Sequence, residues 1–248
     1  MIRFRKIGLS GKFIFVSLSD LGKMRYYDIH THYRQEAPSV VAIVNMILGE
    51  ERPGIGYGEM FEASTLYSVG IHPWYIHTEV IEEQLVSLRD LAGREEIFMI
   101  GEAGLDKQVV TPLAIQEAVF EAQICLSEAL RKPLVIHCVK AWDELLSVRK
   151  RLRPAMPWIV HGFRKKGDLA KQLLRQGFYL SFGVSFQESA LREAWPDRLL
   201  LETDESDCSI WEIYERAAEA LSLPLDEVGR QVERNFRVIF NTNACVFI

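Results

Sequence analysis

The alternation of short apolar segments with helical patterns is the feature that most constrains the fold of this chain. From Met24 onward, eight apolar segments of strand length are separated by segments in which apolar residues recur with a helical period. The strand segments are residues 26–29, 40–48, 66–71, 97–100, 134–136, 158–160, 178–182 and 199–201. Strands that alternate with helices form parallel sheets with right-handed crossovers, and eight of them can close into a barrel. We therefore predict an α/β fold, a single-domain TIM-type (β/α)8 barrel.

The second crossover of this barrel departs from the pattern. Residues 49–65 contain several glycines and a proline where a helix is expected, and both residue types disfavour helix interiors. We therefore predict that the second crossover helix is degraded to a loop.

The first 23 residues differ in character from the rest of the chain. Arg3, Arg5 and Lys6 precede a short apolar stretch, as in a secretory signal, but Ser17 interrupts it and no small-residue cleavage site follows. We expect residues 1–23 to be an N-terminal extension outside the native structure. Residues 24–248 then form the barrel.

Composition limits the functional class. The chain has 248 residues and a formal net charge of −5, which argues against a broad basic surface that coats nucleic acid. It does not exclude a nuclease, because bound metal ions can supply positive charge locally. The four cysteines lie far apart in a chain too large to need disulfides, so we expect reduced thiols and a cytoplasmic protein. Neither a membrane association nor an obligate protein partner is indicated.

Side chains of the metal-ligand type follow the predicted strands. His30 and His32 come directly after the first strand, and an i, i+2 pair in extended backbone points to one side. Similar positions after later strands hold His72, Glu102, His137, His161 and Asp204. Because the carboxyl ends of parallel barrel strands meet at one rim, where active sites lie, the sequence predicts a metal site there.

The same residues lie in motifs that resemble the signature series of the TatD family of metal-dependent hydrolases and deoxyribonucleases. The motifs are DIHTH (28–32), GIHP (70–73), GEAGLD (101–106), PLVIH (133–137), VHGF (160–163) and LLLETD (199–204), in the family's order. The resemblance extends from Met24 to the C-terminal segment VERNFRVIF. It implies an eight-stranded barrel that holds one or two divalent cations, and the imidazole and carboxylate ligands leave Mg²⁺, Mn²⁺ and Zn²⁺ open.

The resemblance also implies the division of the ligands between the metals. One metal would be held by His30, His32, Glu102 and Asp204. Glu102 would bridge to a second metal, which His137 and His161 also hold. His72 would lie beside the site as a substrate contact rather than a ligand.

The chain departs from the family pattern in its loops. Glu205 to Cys208 follow LLLETD, where the family has a Ser/Ala-Pro pair, and Lys107 replaces an aromatic residue after GLD. Lys140 stands near the position of an arginine that follows the fifth-strand histidine, and Arg164 and Lys165 follow VHGF. Lys107, Lys140, Arg164 and Lys165 either contact phosphate at the rim or form a solvated surface. The ligand positions are kept while these loops have changed, which leaves DNA specificity open.

Charge favours phosphoester hydrolysis. Two divalent cations and the two carboxylates of Glu102 and Asp204 leave a charge of about +2 at the site, which attracts an anionic phosphate. Asp204 could accept a proton from a metal-activated water, with Glu102 as the other catalytic carboxylate. We predict a divalent-metal-dependent phosphodiesterase or deoxyribonuclease that acts on DNA or a small phosphodiester.

Two other functions remain open. The first is an amidohydrolase-like hydrolase of esters, amides or lactones, many of which bridge their metals with a modified lysine where this chain has Glu102. The second is a metal-binding scaffold without turnover.

Two further residues at the rim have alternative interpretations. Trp74, with Tyr75 beside it, could stack on a nucleobase or pack against the rim. Cys138 adjoins His137, but neighbouring residues on a strand point to opposite faces, so we expect Cys138 to face away from the site.

Overall fold

The computed structural model describes residues 4–9, 12–17, 24–34, 37–50, 61–62 and 65–241. Eight parallel strands form one sheet in which each strand pairs with its neighbours in the sequence. The strands are β1 (Tyr26–Thr31), β2 (Val40–Ile47), β3 (Leu66–Gly70), β4 (Ile97–Asp106), β5 (Leu134–Val139), β6 (Trp158–Val160), β7 (Tyr179–Phe182) and β8 (Leu199–Leu201). Their order confirms the predicted barrel.

The barrel closes between β1 and the residues that follow β8. Thr31 forms a parallel bridge with Asp204. The backbone N–H of Asp204 donates to the carbonyl oxygen of His30 at 2.9 Å, and the N–H of His32 donates to the carbonyl oxygen of Asp204 at 3.2 Å. Closure therefore takes place at the carboxyl-end rim, between two of the predicted ligand segments.

In the part of the chain that the structure describes, helices follow six of the eight strands. The helices are α1 (Ile81–Ala92), α2 (Leu113–Leu130), α3 (Trp142–Leu152), α4 (Gly167–Arg175), α5 (Glu188–Ala194), α6 (Ile210–Leu221) and α7 (Leu225–Asn241). α1 to α5 follow β3 to β7 in turn, and α6 and α7 both follow β8. Among these helices, none combines the length and apolar character required to cross a membrane.

The first crossover is irregular. The connection between β1 and β2 spans residues 32–39, and its described residues contain no helix because so short a crossover leaves no room for one. The sequence pattern did not predict this loss. The degraded second helix was predicted within residues 49–65, most of which lie outside the described residues, so that prediction is not tested.

Three strands are longer than their apolar segments. β1, β4 and β5 continue through the polar ligand motifs, and all ten residues of β4 are buried. The apolar pattern predicted strands that end too early, because the polar residues of these motifs resemble the residues that follow a strand. In the barrel these polar side chains remain within the strands and line the upper interior.

The apolar face of the last helix, α7, packs against the barrel as its sequence pattern predicts. Val228, Val232, Phe236 and Ile239 recur with a helical period and are all fully buried. The Phe236 ring packs against the ring of Tyr27 on β1, with ring centroids 4.5 Å apart. This contact covers the outer side of the first strand. Burial of an aromatic side chain of this size contributes about 2–3 kcal/mol, so α7 helps to hold β1 in the barrel.

The N-terminal strands lie apart from this sheet. Phe4–Leu9 and Lys12–Ser17 pair antiparallel as a hairpin, and among the described strands each pairs only with the other. That residues 1–23 form an extension outside the native structure stays a prediction.

At Gly104 the backbones of β4 and β5 approach each other so closely that only glycine fits. We therefore expect Gly104→Ala to destabilise the barrel. Its φ is +152°, and a Cβ there would overlap the carbonyl oxygen of His137 on β5. Strained backbone and overpacking together should lower the free energy of unfolding by about 3 kcal/mol. Denaturant unfolding measures this change.

The matched control is Gly93→Ala at the end of α1. Gly93 has helical φ and ψ, and its nearest Cβ neighbour would be the Asp90 carbonyl oxygen at 3.6 Å, an ordinary contact. This variant should equal the parent chain in stability or exceed it by up to about 1 kcal/mol. Equal stability of the two variants would show that the space between β4 and β5 at Gly104 does admit a Cβ.

Candidate metal centre

The Glu102 carboxylate lies at the centre of the site and is 3% exposed. Its Oε1 is 2.6 Å from His161 Nε2 and 2.9 Å from His137 Nδ1. The same oxygen is 3.3 Å from His72 Nε2, and Oε2 is 3.5 Å from His30 Nε2. β1, β3, β4, β5 and β6 thus bring four imidazoles and one carboxylate together.

Asp204 forms the second part of the cluster, just after β8. Its Oδ1 is 3.7 Å from His30 Nε2 and 3.6 Å from His32 Nε2. His30 therefore lies between the Asp204 and Glu102 carboxylates. The structure brings all six sequence-predicted metal ligands to one rim.

Several groups of ligand atoms are compact enough to hold a metal ion. In each group, one ligand atom per residue lies within 4.8 Å of the others. The groups are His30–His32–Asp204, His30–Glu102–His161, His72–Glu102–His137 and His161–Glu202–Asp204.

His30 tests whether these residues fit a metal. Its side chain is completely buried, yet neither ring nitrogen has a hydrogen-bond partner. Buried polar atoms without a partner are costly and rare, and a cation that accepts an imidazole lone pair satisfies one of them. Imidazole and carboxylate donors without a thiolate suit divalent cations of hard or borderline character. The residues present therefore fit such a metal.

Asn45 on β2 orients Glu102, and the sequence analysis did not identify it. Its amide Nδ2 donates to Glu102 Oε2 at 3.3 Å, and its Oδ1 accepts the Glu102 backbone N–H at 3.0 Å. The Ser68 hydroxyl on β3 donates to the same Oδ1 at 3.0 Å. Hydrogen bonds of this kind fix the direction of a ligand carboxylate.

The site stabilises positive charge around His161. Burial alone would lower the pKa of His161, but the Glu102 and Glu202 carboxylates on either side raise it well above its usual value. Burial would raise the pKa of Glu102, whereas His161 and His137 hold it well below its usual range. Burial lowers the pKa of His32 and His72, which favours the neutral form of both rings. The centre therefore favours a cation beside Glu102.

Two further carboxylates at the site were also missed. Glu202 Oε1 accepts the Gly162 backbone N–H at 2.5 Å and is 3.5 Å from His161 Nδ1. Asp106 Oδ2 is 3.3 Å from His137 Nε2. Same-face spacing along β4 could have found Asp106, which is four residues after Glu102. Glu202 lies beyond the end of β8, and its only sequence signal is its place within the LLLETD motif.

The predicted substrate contacts are distributed unevenly around a cavity of about 390 Å³ above the cluster. His72, Arg164 and Lys165 line this cavity, and the Arg164 guanidinium is 3.7 Å from Asp204 Oδ2. Lys107 and Lys140 are not part of the lining, and Lys107 donates to Glu144 at 2.6 Å. That these residues contact substrate stays a prediction.

Cys138 borders the cavity, although alternation along β5 predicts that it faces away from the site. Burial raises the pKa of its thiol to about 12. A thiol with this pKa is protonated at neutral pH and is a poor nucleophile. The imidazoles and carboxylates, rather than this thiol, are therefore the candidate reactive groups of the site.

We expect Cys138 to resist alkylation in the folded protein. Iodoacetamide at pH 8 should label the exposed Cys125 at least about 100-fold faster than Cys138, since only a thiolate reacts. Peptide mass spectrometry after timed quenching measures both rates, and the urea-unfolded chain, in which the two rates should converge, is the control. Comparable rates in the folded protein would reveal an accessible thiolate at Cys138.

Comparison with known proteins assigns this arrangement to a family. A family profile described as TatD related DNase matches residues 39–241, which is most of the chain. The chain therefore belongs to the TatD family of metal-dependent hydrolases, as its motifs predicted.

Individual relatives agree with this assignment. Over 235 residues the chain is 29% identical to the uncharacterized metal-dependent hydrolase YabD of Bacillus subtilis, covering 85% of this chain and 91% of YabD. Over 202 residues it is 28% identical to the 3'-5' ssDNA/RNA exonuclease TatD of Pantoea ananatis, covering 70% and 76%. The crystal structure of the TatD homologue YjjV from Escherichia coli superposes with a TM-score of 0.73 at 21% identity, over 88% and 98% of the two chains.

Proposed function

We propose that this protein is a divalent-metal-dependent phosphodiesterase that acts on nucleic acid. The observation that carries the proposal is the buried Glu102 carboxylate, which lies within 3.5 Å of four imidazole nitrogens. With divalent cations bound, such a centre would carry positive charge in an acidic chain and would attract a phosphate anion. The exonuclease name of the Pantoea relative supports a nucleic acid substrate.

The proposed ligands fall into two sets that share Glu102. His30, His32, Glu102 and Asp204 would hold one cation. Glu102, His137 and His161 would hold the second. Glu102 Oε2 faces His30 while Oε1 faces His137 and His161, which supports a carboxylate shared by the two sets. The donor set is compatible with Mg²⁺, Mn²⁺ and Zn²⁺.

When bound, divalent cations supply an acidified water at neutral pH and offset the negative charge that develops on a phosphate. Asp204 accepts the proton of the attacking water, because its carboxylate lies at the mouth of the cluster and is 21% exposed. Arg164, beside Asp204 and lining the cavity, binds a phosphate oxygen. Asn45 keeps the Glu102 carboxylate in its orientation throughout.

Hydrolysis of esters, amides or lactones is the second candidate. Many amidohydrolase-like enzymes bridge their metals with a modified lysine at the end of the fourth strand, whereas this chain has Glu102 there, which favours the phosphodiesterase. Turnover of an ester or amide with none of bis-p-nitrophenyl phosphate would reverse this choice. A scaffold without catalysis would bind metal and hydrolyse neither.

Exhaustive chelation should abolish hydrolysis of bis-p-nitrophenyl phosphate and of single-stranded DNA. The expected cause is loss of the cations from the imidazole–carboxylate cluster, and Mg²⁺, Mn²⁺ or Zn²⁺ added back separately should restore the rate. Steady-state rates before chelation, after it and after each addition provide the measurement. A rate that chelation leaves unchanged would exclude a metal-dependent mechanism.

Glu102→Ala should lower metal content more than any other single substitution at the site, because it removes a ligand from both sets. Asp204→Asn should keep most of the fold but reduce turnover by at least about 100-fold, as expected for loss of a general base. His72→Ala should raise KM and leave metal content intact. Elemental analysis of the purified variants and steady-state kinetics test this order.

Two outcomes would change the assignment. Two metals per chain in Glu102→Ala would refute the bridging position. Loss of metal in His72→Ala would make His72 a ligand, which its 3.3 Å separation from Glu102 permits.

A further inference from the structure

Trp74 is an exposed aromatic side chain in the wall of the catalytic cavity. It lies in a single 3₁₀ turn, Pro73–Tyr75, directly after His72, and is 60% exposed. In the described part of the chain, six large hydrophobic side chains are exposed, and Trp74 alone among them lines the cavity. More than half of its surface is therefore available to a ligand bound in the cavity.

The Trp74 ring is held in position before any ligand binds. Its Nε1–H donates to Asp106 Oδ2 at 2.7 Å, and its backbone N–H donates to His72 Nδ1 at 3.1 Å. The indole packs edge-to-face on His72, with ring centroids 5.2 Å apart, and lies 6.1 Å from the His137 ring. A ring fixed in this way binds a ligand with little further loss of side-chain entropy.

Asp106 is the residue that fixes the ring, and it is itself firmly held. It is 1% exposed, its Oδ1 accepts the Gln108 N–H at 2.7 Å, and the Gln116 amide bonds both its backbone N–H and its carbonyl oxygen. Burial would raise the pKa of Asp106, but the hydrogen bonds from Trp74 and Gln108 hold it below its usual value. The same Oδ2 lies 3.3 Å from His137 Nε2, so one carboxylate holds both the ring and a cluster imidazole.

These contacts restrict the chemistry of the ligand. Asp106 already occupies the only hydrogen-bond donor of the indole ring, so the ring offers a flat π face. A cationic ligand is disfavoured beside a metal cluster of net positive charge. A nucleobase provides a neutral π face of matching shape and is attached to the phosphate that the cluster attracts.

We propose that Trp74 is a nucleobase-stacking subsite for the nucleotide that carries the scissile phosphate, with Asp106 as its positioning residue. This inference rests on the proposed nuclease function. It adds a contact to the base, which the phosphate chemistry of the cluster does not supply. Because every base has a π face, the subsite favours nucleotides over simple phosphodiesters without selecting a sequence.

The test compares an oligodeoxythymidylate with a fully abasic oligomer of the same length and charge. Binding of each labelled oligomer is measured by fluorescence anisotropy on the full-length protein, both metal-loaded with Ca²⁺ and in EDTA. Trp74→Ala should weaken binding of the thymidylate by about tenfold or more and leave the abasic oligomer and the metal content unchanged. Trp74→Phe, which keeps a stacking face, should retain most of the binding.

Tyr33→Ala is the matched control, because Tyr33 is 55% exposed near the same rim but does not line the cavity. It should bind both oligomers as the parent chain does. Asp106→Ala should lower the preference for the thymidylate, whereas Asp106→Asn keeps an acceptor for the indole N–H and should restore it. A purely structural effect of Asp106 would instead weaken both oligomers equally.

The outcomes separate this inference from the proposed function. Equal effects of Trp74→Ala on the two oligomers, or no effect on either, would overturn the stacking subsite while metal-dependent hydrolysis of bis-p-nitrophenyl phosphate persisted. Failure of the parent chain to hydrolyse any phosphodiester would overturn the proposed function itself. Hydrolysis of bis-p-nitrophenyl phosphate without measurable binding of either oligomer would also refute the subsite.

Discussion

A carboxylate buried inside the barrel must be compensated, and the region around Glu102 is organised by this requirement. Removing a charged carboxylate from water costs several kcal/mol unless hydrogen bonds and opposite charges replace the lost hydration. Asn45 supplies a hydrogen bond from β2, and His161 and His137 supply compensating contacts from β6 and β5. Each of these groups comes from a different strand, so Glu102 can be buried only when the barrel has formed.

The residues that close the barrel also form one of the candidate ligand groups. The backbone bonds that join β1 to the end of β8 involve His30, His32 and Asp204. The side chains of these three residues form one of the compact ligand groups. The geometry of this group therefore depends on closure, and a cation bound there would in turn stabilise the closed barrel by mass action.

A further layer of polar residues connects the centre to the wall of the cavity. Asp106 lies 3.3 Å from His137 and accepts a hydrogen bond from Trp74, and Glu202 lies between the Gly162 backbone and His161. Such outer carboxylates set the orientation of ligand imidazoles. In this chain the same layer also holds an exposed indole, so the same polar residues support the candidate metal ligands and the wall of the cavity.

The sequence by itself determined the strand order, the barrel and the six predicted ligands at its rim. Apolar periodicity is a local property, and the carboxyl ends of parallel strands meet at one rim whatever the loops contain. Motif order then identified the family, because residues such as Glu102 and His161 occupy fixed places along the chain.

Only the tertiary structure decided which side chains support those ligands and which line the cavity. Asn45 precedes Glu102 by 57 residues, and no local pattern marks it as the partner of that carboxylate. Trp74 could equally have been packed or exposed, and Lys107 could have faced the cavity rather than Glu144. These outcomes depend on the register between strands and on loop conformation. Contacts between residues that are distant in sequence determine both.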